Sequence, residues 1–323
     1  MHYAIRHTTL FQYSSPVRES VMELRLQPRS EGPQALRSFQ ISTNPRAQLY
    51  AYSDSLGNAV YHFNILRQHR ELRIDTQSVV EMSQFPEIPD ALDSLEWDRF
   101  NSFNLGADHF DMMEPSKFAR RSETLEAFCR DTGLERSVAD PLSALRNLNT
   151  TIFQSFGYEQ GVTEVHSPID DALRARRGVC QDFAHIMIAI ARGWGIPARY
   201  VSGYLFHRTK NEHRSGEDAS HAWIEAWLPS LGWVGFDPTN NVLAQDRHIR
   251  VAVGRDYADV PPTRGTFKGD ADTDLQIAVT VSPAQAPIRH EEFLRVARPE
   301  RSRPEHSGRA EEFYHQQQQQ QQQ

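Results

Sequence analysis

The chain has 323 residues and a mass of 37.0 kDa, more than one ordinary core carries, so two modest domains are expected. Hydrophobic residues at 39%, with 17 Phe, 10 Tyr and 5 Trp, are too plentiful for a disordered chain, and a net charge of −7 without a basic block gives no footprint for nucleic acid. The longest wholly apolar run, residues 186–191, is far below the roughly 20 residues a membrane-spanning helix needs.

The amino terminus, MHYAIRHTTLF, alternates polar and apolar residues and lacks the basic patch and apolar stretch of a secretory signal, which predicts a cytoplasmic protein. The first eighty-odd residues read as strands. Tyr3, Ile5, Phe11 and Tyr13 keep one parity, Met22, Leu24 and Leu26 another, and Tyr61, Phe63 and Ile65 then Leu72 and Ile74 continue the pattern. Turns are expected at Ser14-Ser15-Pro16, over 28–33, at Asn44-Pro45, and over 54–58, where Asp54, Gly57 and Asn58 suit a hairpin connection. An antiparallel β domain over 1–85 is predicted.

After Pro86 and Pro89 the spacing becomes helical, with Leu92, Leu95 and Phe103, then Phe118, Leu125 and Phe128, giving a helical connector over 86–136. A second domain is expected over 137–290. It opens with Asp140 as N-cap and Pro141 as first residue of a helix carrying Leu142, Leu145, Ile152, Phe153 and Phe156. Ser167-Pro168 opens a short helix with Asp170 and Asp171 in its first turn and Arg174, Arg176 and Arg177 in its last; Gly178 is read as its C-cap. From about Arg295 the tail is rich in Arg, Pro and Glu and ends in a glutamine run, Gln316–Gln323, so residues 291–323 are expected to be disordered.

The segment GVCQDFAHIMIAIARGWGIPARYVSGY predicts a largely buried helix, because Phe183, Ile186, Met187, Ile190 and Trp194 recur at helical intervals. Cys180 stands at its first turn, where unpaired backbone N–H groups and the positive end of the dipole favour a thiolate. Asp182 also suits the dipole, as a helix-start residue. His185 lies five residues on, about 140° around the helix from Cys180, and is read as structural. Cys129, with no base or helix start beside it, is read as inert.

Forty residues later, SHAWIEAWLPSLGWVGFDPTNN forms a predicted hairpin in which His221, Trp223, Glu225 and Trp227 share a face. A four-residue loop, Pro229–Gly232, would put Asp237 opposite Ile224, three residues and roughly 10 Å from His221, so a longer loop or a bulge is required for them to meet. The residue types are those of thiol acyl transfer: a sulfur nucleophile at Cys180, an imidazole at His221 to move its proton, and a carboxylate at Asp237 to orient the imidazole.

Together, GVCQDFAH, SHAWIEAW and GWVGFDPTN resemble the core motifs of the bacterial transglutaminase-like superfamily, and HTTLFQYSSPV, ELRLQP and DSLGN resemble the β domain that accompanies this core in a branch labelled cysteine protease. The resemblance spans roughly residues 1–285. It implies an α+β fold with a papain-like core, in which a cysteine-bearing helix packs on an antiparallel sheet, with Cys180 as nucleophile, His221 as base and Asp237 as orienting acid. Tyr158 is implied as an oxyanion candidate beside the backbone N–H of Cys180.

The function expected is hydrolysis of a peptide or side-chain amide through a Cys180 thioester, with amine-accepting transglutaminase chemistry as one alternative and a non-catalytic protein-binding module as another. The partner expected is a peptide or protein substrate, without nucleic acid or membrane, and a homo-oligomer is left open. No cofactor or metal is expected. His207, His213 and His221 lack a tight zinc spacing, and Asp270, Asp272 and Asp274 are followed by Leu275 where a calcium loop needs Gly. The hydrophilic run His207–Ser220 is read as a solvated loop, with a substrate lid as the lesser reading.

Overall fold

The computed structural model describes residues 1–102, 107–134, 140–208, 220–285 and 311–312. Apart from 311–312, the tail expected to be disordered lies outside the described residues, as do most of the run His207–Ser220 and Phe103.

The β domain is organised by β1 (His2–Leu24), a 23-residue strand. In its first half Tyr3, Ile5, His7, Thr9, Phe11 and Tyr13 face inward, and beyond it Ser20, Met22 and Leu24 do. The two parities noted in the sequence thus belong to one strand. Its pairing shifts between Arg18 and Val21, where Glu19 takes a left-handed φ of 54°, and one extra residue is enough to exchange the faces. The expected turn at Ser14-Ser15-Pro16 is therefore continuous strand. The first half of β1 lies between β5 (His69–Met82) and β14 (Thr273–Ala284), and the second between β4 (Ala59–Ile65) and β13 (Thr263–Lys268), all antiparallel. β2 (Gln34–Asn44) extends the sheet beyond β5, and β3 (Tyr50–Ser53) pairs with β4. The turn between β3 and β4 is the one predicted: Asp54 Oδ1 accepts from the N–H of Leu56 and of Asn58, and Gly57 supplies φ 74°.

Residues 263–284, assigned by the sequence pattern to the second domain, are strands of the first. Leu275, Ile277 and Val279 are buried with Tyr3, Ile5 and Phe11, and the core of the second domain ends near Val260. Linear order hides this because strand pairing is non-local.

Between the domains run α1 (Glu96–Ser102), α2 (Ala107–Asp111) and α3 (Glu123–Thr132). Ser122 caps α3, and Gly133 ends it at φ 66°. The second domain begins with α4 (Pro141–Ser155), and Asp140 caps it as expected, its Oδ1 accepting from the N–H of Leu142 and Ser143. The short parallel pair β6 (Gly157–Tyr158) and β7 (Arg177–Gly178) brackets α5 (Ile169–Ala175). Here the reading of Gly178 as a C-cap does not hold. Arg176 takes the left-handed turn, at φ 53°, and Gly178 is needed for space, since a Cβ there would lie 2.6 Å from Asp182 Oδ2.

α6 (Cys180–Gly193) is buried along its length through Arg192. It packs on a five-stranded antiparallel sheet whose order is β11 (Val242–Ala244), β10 (Gly232–Asp237), β9 (His221–Leu228), β8 (Ala198–Leu205), β12 (His248–Gly254). The domains are joined by polar contacts along β12. Asn58 accepts from the N–H of Val253 and donates to its carbonyl, both at 2.8 Å, and Gln34 does the same for Arg250. A buried ion network adds to this: Glu225 is paired with Arg199 and Arg250, and Arg199 also reaches Glu31 of the β domain at 3.0 Å.

Gly203 on β8 is the tightest point of the core sheet. A Cβ there would stand 2.2 Å from the Ile249 carbonyl oxygen and 2.5 Å from the Trp223 ring. Gly203→Ala is expected to lower stability by about 2 kcal/mol or more, read as a lower urea midpoint, because neither the β12 backbone nor the fully buried indole can yield.

Candidate active site

Cys180 is the first residue of α6 and is 1% exposed. The turn before it is fixed by Asp182, whose Oδ2 accepts from the N–H of Val179 at 2.9 Å and from the Thr163 hydroxyl at 2.6 Å. Burial pushes the Asp182 carboxyl up to about 6, against the pull of those two hydrogen bonds. Next to it, the amide of Gln181 donates to the Val165 carbonyl at 3.0 Å. The start of the helix is thus tied to the loop after β6. Its first-turn N–H groups have no partner within the helix, and they are the donors an anionic sulfur or oxygen would meet.

β9 and β10 meet through three residues, Pro229, Ser230 and Leu231, with Leu228 opposite Gly232, whose φ of 72° closes the turn. Phe236 then opposes Ile224, and continuing this register sets Asp237 opposite Trp223, two residues from His221 and on the same face. The longer loop or bulge expected from sequence is not what joins them: the loop is one residue shorter than the four read there, and this moves Asp237 onto the face of His221.

The result is a direct contact. His221 Nε2 lies 2.8 Å from Asp237 Oδ2, with both residues at most 1% exposed. Oδ1 of Asp237 accepts from the N–H of Thr239 and Asn240, and Oδ2 also accepts from the Asn240 side-chain amide at 2.8 Å. The Asp-Pro-Thr-Asn turn therefore wraps its own carboxylate. Burial works against the Asp237 charge, but His221 and these donors hold its carboxyl far below the ordinary range.

With Nε2 committed to Asp237, Nδ1 of His221 is the nitrogen left for the thiol. Nδ1 is buried and makes no hydrogen bond, and Cys180 is among the groups that raise the imidazole's proton affinity. Burial disfavours an imidazolium at His221, but Asp237 and Cys180 outweigh it and raise the ring to about 10. At neutral pH His221 is thus cationic.

Tyr158 of β6 is half-buried, edge-on to Phe183. Burial and the charges of Cys180, Asp182 and Asp237 raise its hydroxyl, so it remains a protonated donor near these groups. The other sequence readings find their places elsewhere. His185 is stacked on Phe118 and packed on Tyr200; its Nε2 accepts from the N–H of Tyr257, and burial lowers it to about 4. Cys129 is half-buried on α3, where burial raises its thiol.

Sequence reasoning misses His248. This first residue of β12 is 5% exposed, and its Nε2 lies 3.1 Å from the same Asp237 oxygen that His221 uses. The indole of Trp223 fills the corner, ring centroids 6.0 Å from His221 and 5.2 Å from His248. The donor atoms of His221, Asp237 and His248 fall within 4.8 Å of one another, a spacing a transition metal can span. Here those atoms are engaged with one another and with Asn240, an arrangement that handles protons.

The His221–Asp237 pair makes stability depend on pH. The folded imidazole titrates near 10 and a free one near 6.5, so its contribution is fully present below about 6.5 and is lost as pH rises through 10. Thermal unfolding midpoints measured from pH 6.5 to 10 are expected to fall in the wild type more steeply than in His221→Gln, which has no such proton to lose.

Two family models match. The transglutaminase-like superfamily core covers residues 130–238 and the bacterial transglutaminase-like N-terminal region covers residues 3–81. Uncharacterized protein ML0607 of Mycobacterium leprae is 35% identical over 278 residues, 85% of this chain and 96% of that protein. The protein-glutamine gamma-glutamyltransferase of Pseudomonas aeruginosa is 29% identical over 153 residues, 42% of this chain and 23% of its own length. Among solved structures, the "Putative Cysteine Protease" from Cytophaga hutchinsonii superposes with a TM-score of 0.67 at 19% identity, covering 90% of this chain and 94% of that one, a likeness of fold. With the antiparallel β domain, the cysteine-bearing helix and the five-stranded sheet in place, the chain belongs to the transglutaminase-like superfamily, in the branch that carries the bacterial N-terminal region.

Proposed function

We propose that the protein cleaves a peptide or side-chain amide by acyl transfer through Cys180 and passes the acyl group to water. The sulfur attacks the carbonyl carbon, and the proton held between sulfur and His221 goes to the departing amine as the C–N bond breaks, leaving a thioester. Water then attacks the thioester, with His221 taking its proton and returning one to the sulfur. The backbone N–H of Cys180 and the Tyr158 hydroxyl are the donors for the oxyanion. Asp237 keeps the imidazole turned and its cation stable.

The observation that carries this reading is the division of labour on one ring: Nε2 of His221 is held by a buried carboxylate, while Nδ1 is buried without a hydrogen-bond partner, and Cys180, at a helix start, is among the groups that raise the ring's proton affinity. A site built only to hold the fold would pair that nitrogen. A second reading, transfer to an amine, is supported by the Pseudomonas relative named protein-glutamine gamma-glutamyltransferase. The two share every step up to the thioester and differ only in the acceptor.

Incubation with a glutamine-containing peptide and a labelled primary amine separates them. Release of ammonia with the amine left unincorporated is expected, and label uptake exceeding hydrolysis would assign transamidation. A Cys180-linked acyl adduct should be visible by intact mass when a panel of peptide amides is screened, should vanish in Cys180→Ala, and should form at least a hundredfold more slowly in His221→Ala, on the order of what a positioned base contributes. A wild-type protein that forms no adduct across that panel and still binds a protein partner would mark it as a binding module.

A further inference from the structure

Resting on the acyl-transfer reading, we infer that His248 is a positioning residue: its Nε2–H donates to Asp237 Oδ2, fixing the carboxylate for His221 and dividing the charge of that oxygen so that His221 does not hold its proton too tightly. Three observations carry this. His248 Nε2 and His221 Nε2 address one oxygen, at 3.1 and 2.8 Å. Both rings are locked by the same fully buried indole, Trp223. Finally, β12 is set in place by contacts from the β domain, Gln34 to Arg250 and Asn58 to Val253, so the second imidazole is held from outside the core that supplies the other groups.

A carboxylate oxygen that accepts several N–H bonds has less negative charge to offer each donor. Without His248, Asp237 would bind the His221 imidazolium more firmly, which turns a relay into a trap for the proton the leaving amine needs. For the reciprocal reason His248 must be neutral. Burial lowers its proton affinity more than Asp237 raises it, so it remains an N–H donor at neutral pH. The other groups facing this arrangement are Cys180 from α6, Tyr158 from β6 and Arg247 beside β12.

The test uses histidine-labelled full-length protein and nitrogen NMR, and no substrate. In the wild type, His248 is expected to be the neutral tautomer protonated on Nε2; the Nδ1–H tautomer, or a cation at pH 7, would overturn the inference without any mutation. In His248→Leu, the Nε2–H signal of His221 is expected to move downfield and its titration to move up by about one unit, the size expected for losing one hydrogen bond to a charged group. His248→Gln, whose side-chain amide can donate in the same place, should restore both. A His221 titration unchanged in His248→Leu, or one that His248→Gln leaves shifted, would reduce His248 to packing. Because neither readout needs turnover, a protein that forms no acyl adduct yet shows the coupled titration refutes the acyl-transfer reading alone.

Discussion

One buried negative charge organises the transglutaminase-like core domain. Asp237 is fully enclosed, and an isolated carboxylate in such a place would take up a proton. It stays charged because five donors from three directions converge on it: the imidazoles of His221 and His248, two backbone N–H groups, and the Asn240 amide. Three different constraints bring them. The β9–β10 turn sets the face of His221, the Asp-Pro-Thr-Asn turn curls back on its own first residue, and the pairing of β12 with β8 delivers His248. The register of the sheet and the charge of the acid depend on each other, since a slip by one residue would leave a buried anion without its partners.

Cys180 is fixed by a second, separate system. Asp182, Thr163 and Val179 close the turn ahead of α6, and Gly178 leaves room for the Asp182 carboxylate. α6 packs directly on the sheet, and His221 shares with Trp223 and Gly203 a crowded part of it, where a Cβ at Gly203 would meet the Trp223 ring.

How much of this was legible in the sequence follows from which interactions are local. The helix starting at Cys180, the cap at Asp140 and the Asp54–Asn58 turn are written in neighbouring residues, and they appear where the pattern puts them. Cys180, His221 and Asp237 could be picked out because each stands in a distinctive run, and the resemblance of those runs to one family supplied the link between them. The register of β9 and β10 was not legible, because it turns on a single loop residue that propensity cannot count. His248 was invisible for a similar reason: it sits in an ordinary alternating strand, and only the pairing with β8, shifted between Arg250 and Ala252, brings it to the acid. The parity change in β1 was visible, but it reads equally well as two strands with a turn or as one strand with a bulge.

The strands β13 and β14 give the molecule its most far-reaching architectural property. Because they flank β1, the core domain is inserted into the β domain, and the polypeptide leaves that domain after β5 and comes back to it. Both ends of the insert are anchored, which restricts the conformations open to it when it unfolds. A chain cut after residue 260 would bare one edge of each half of β1, now covered by β14 and β13, inviting intermolecular strand pairing. The two domains are accordingly joined at two points of the chain, and neither could be exchanged between relatives as a simple cassette.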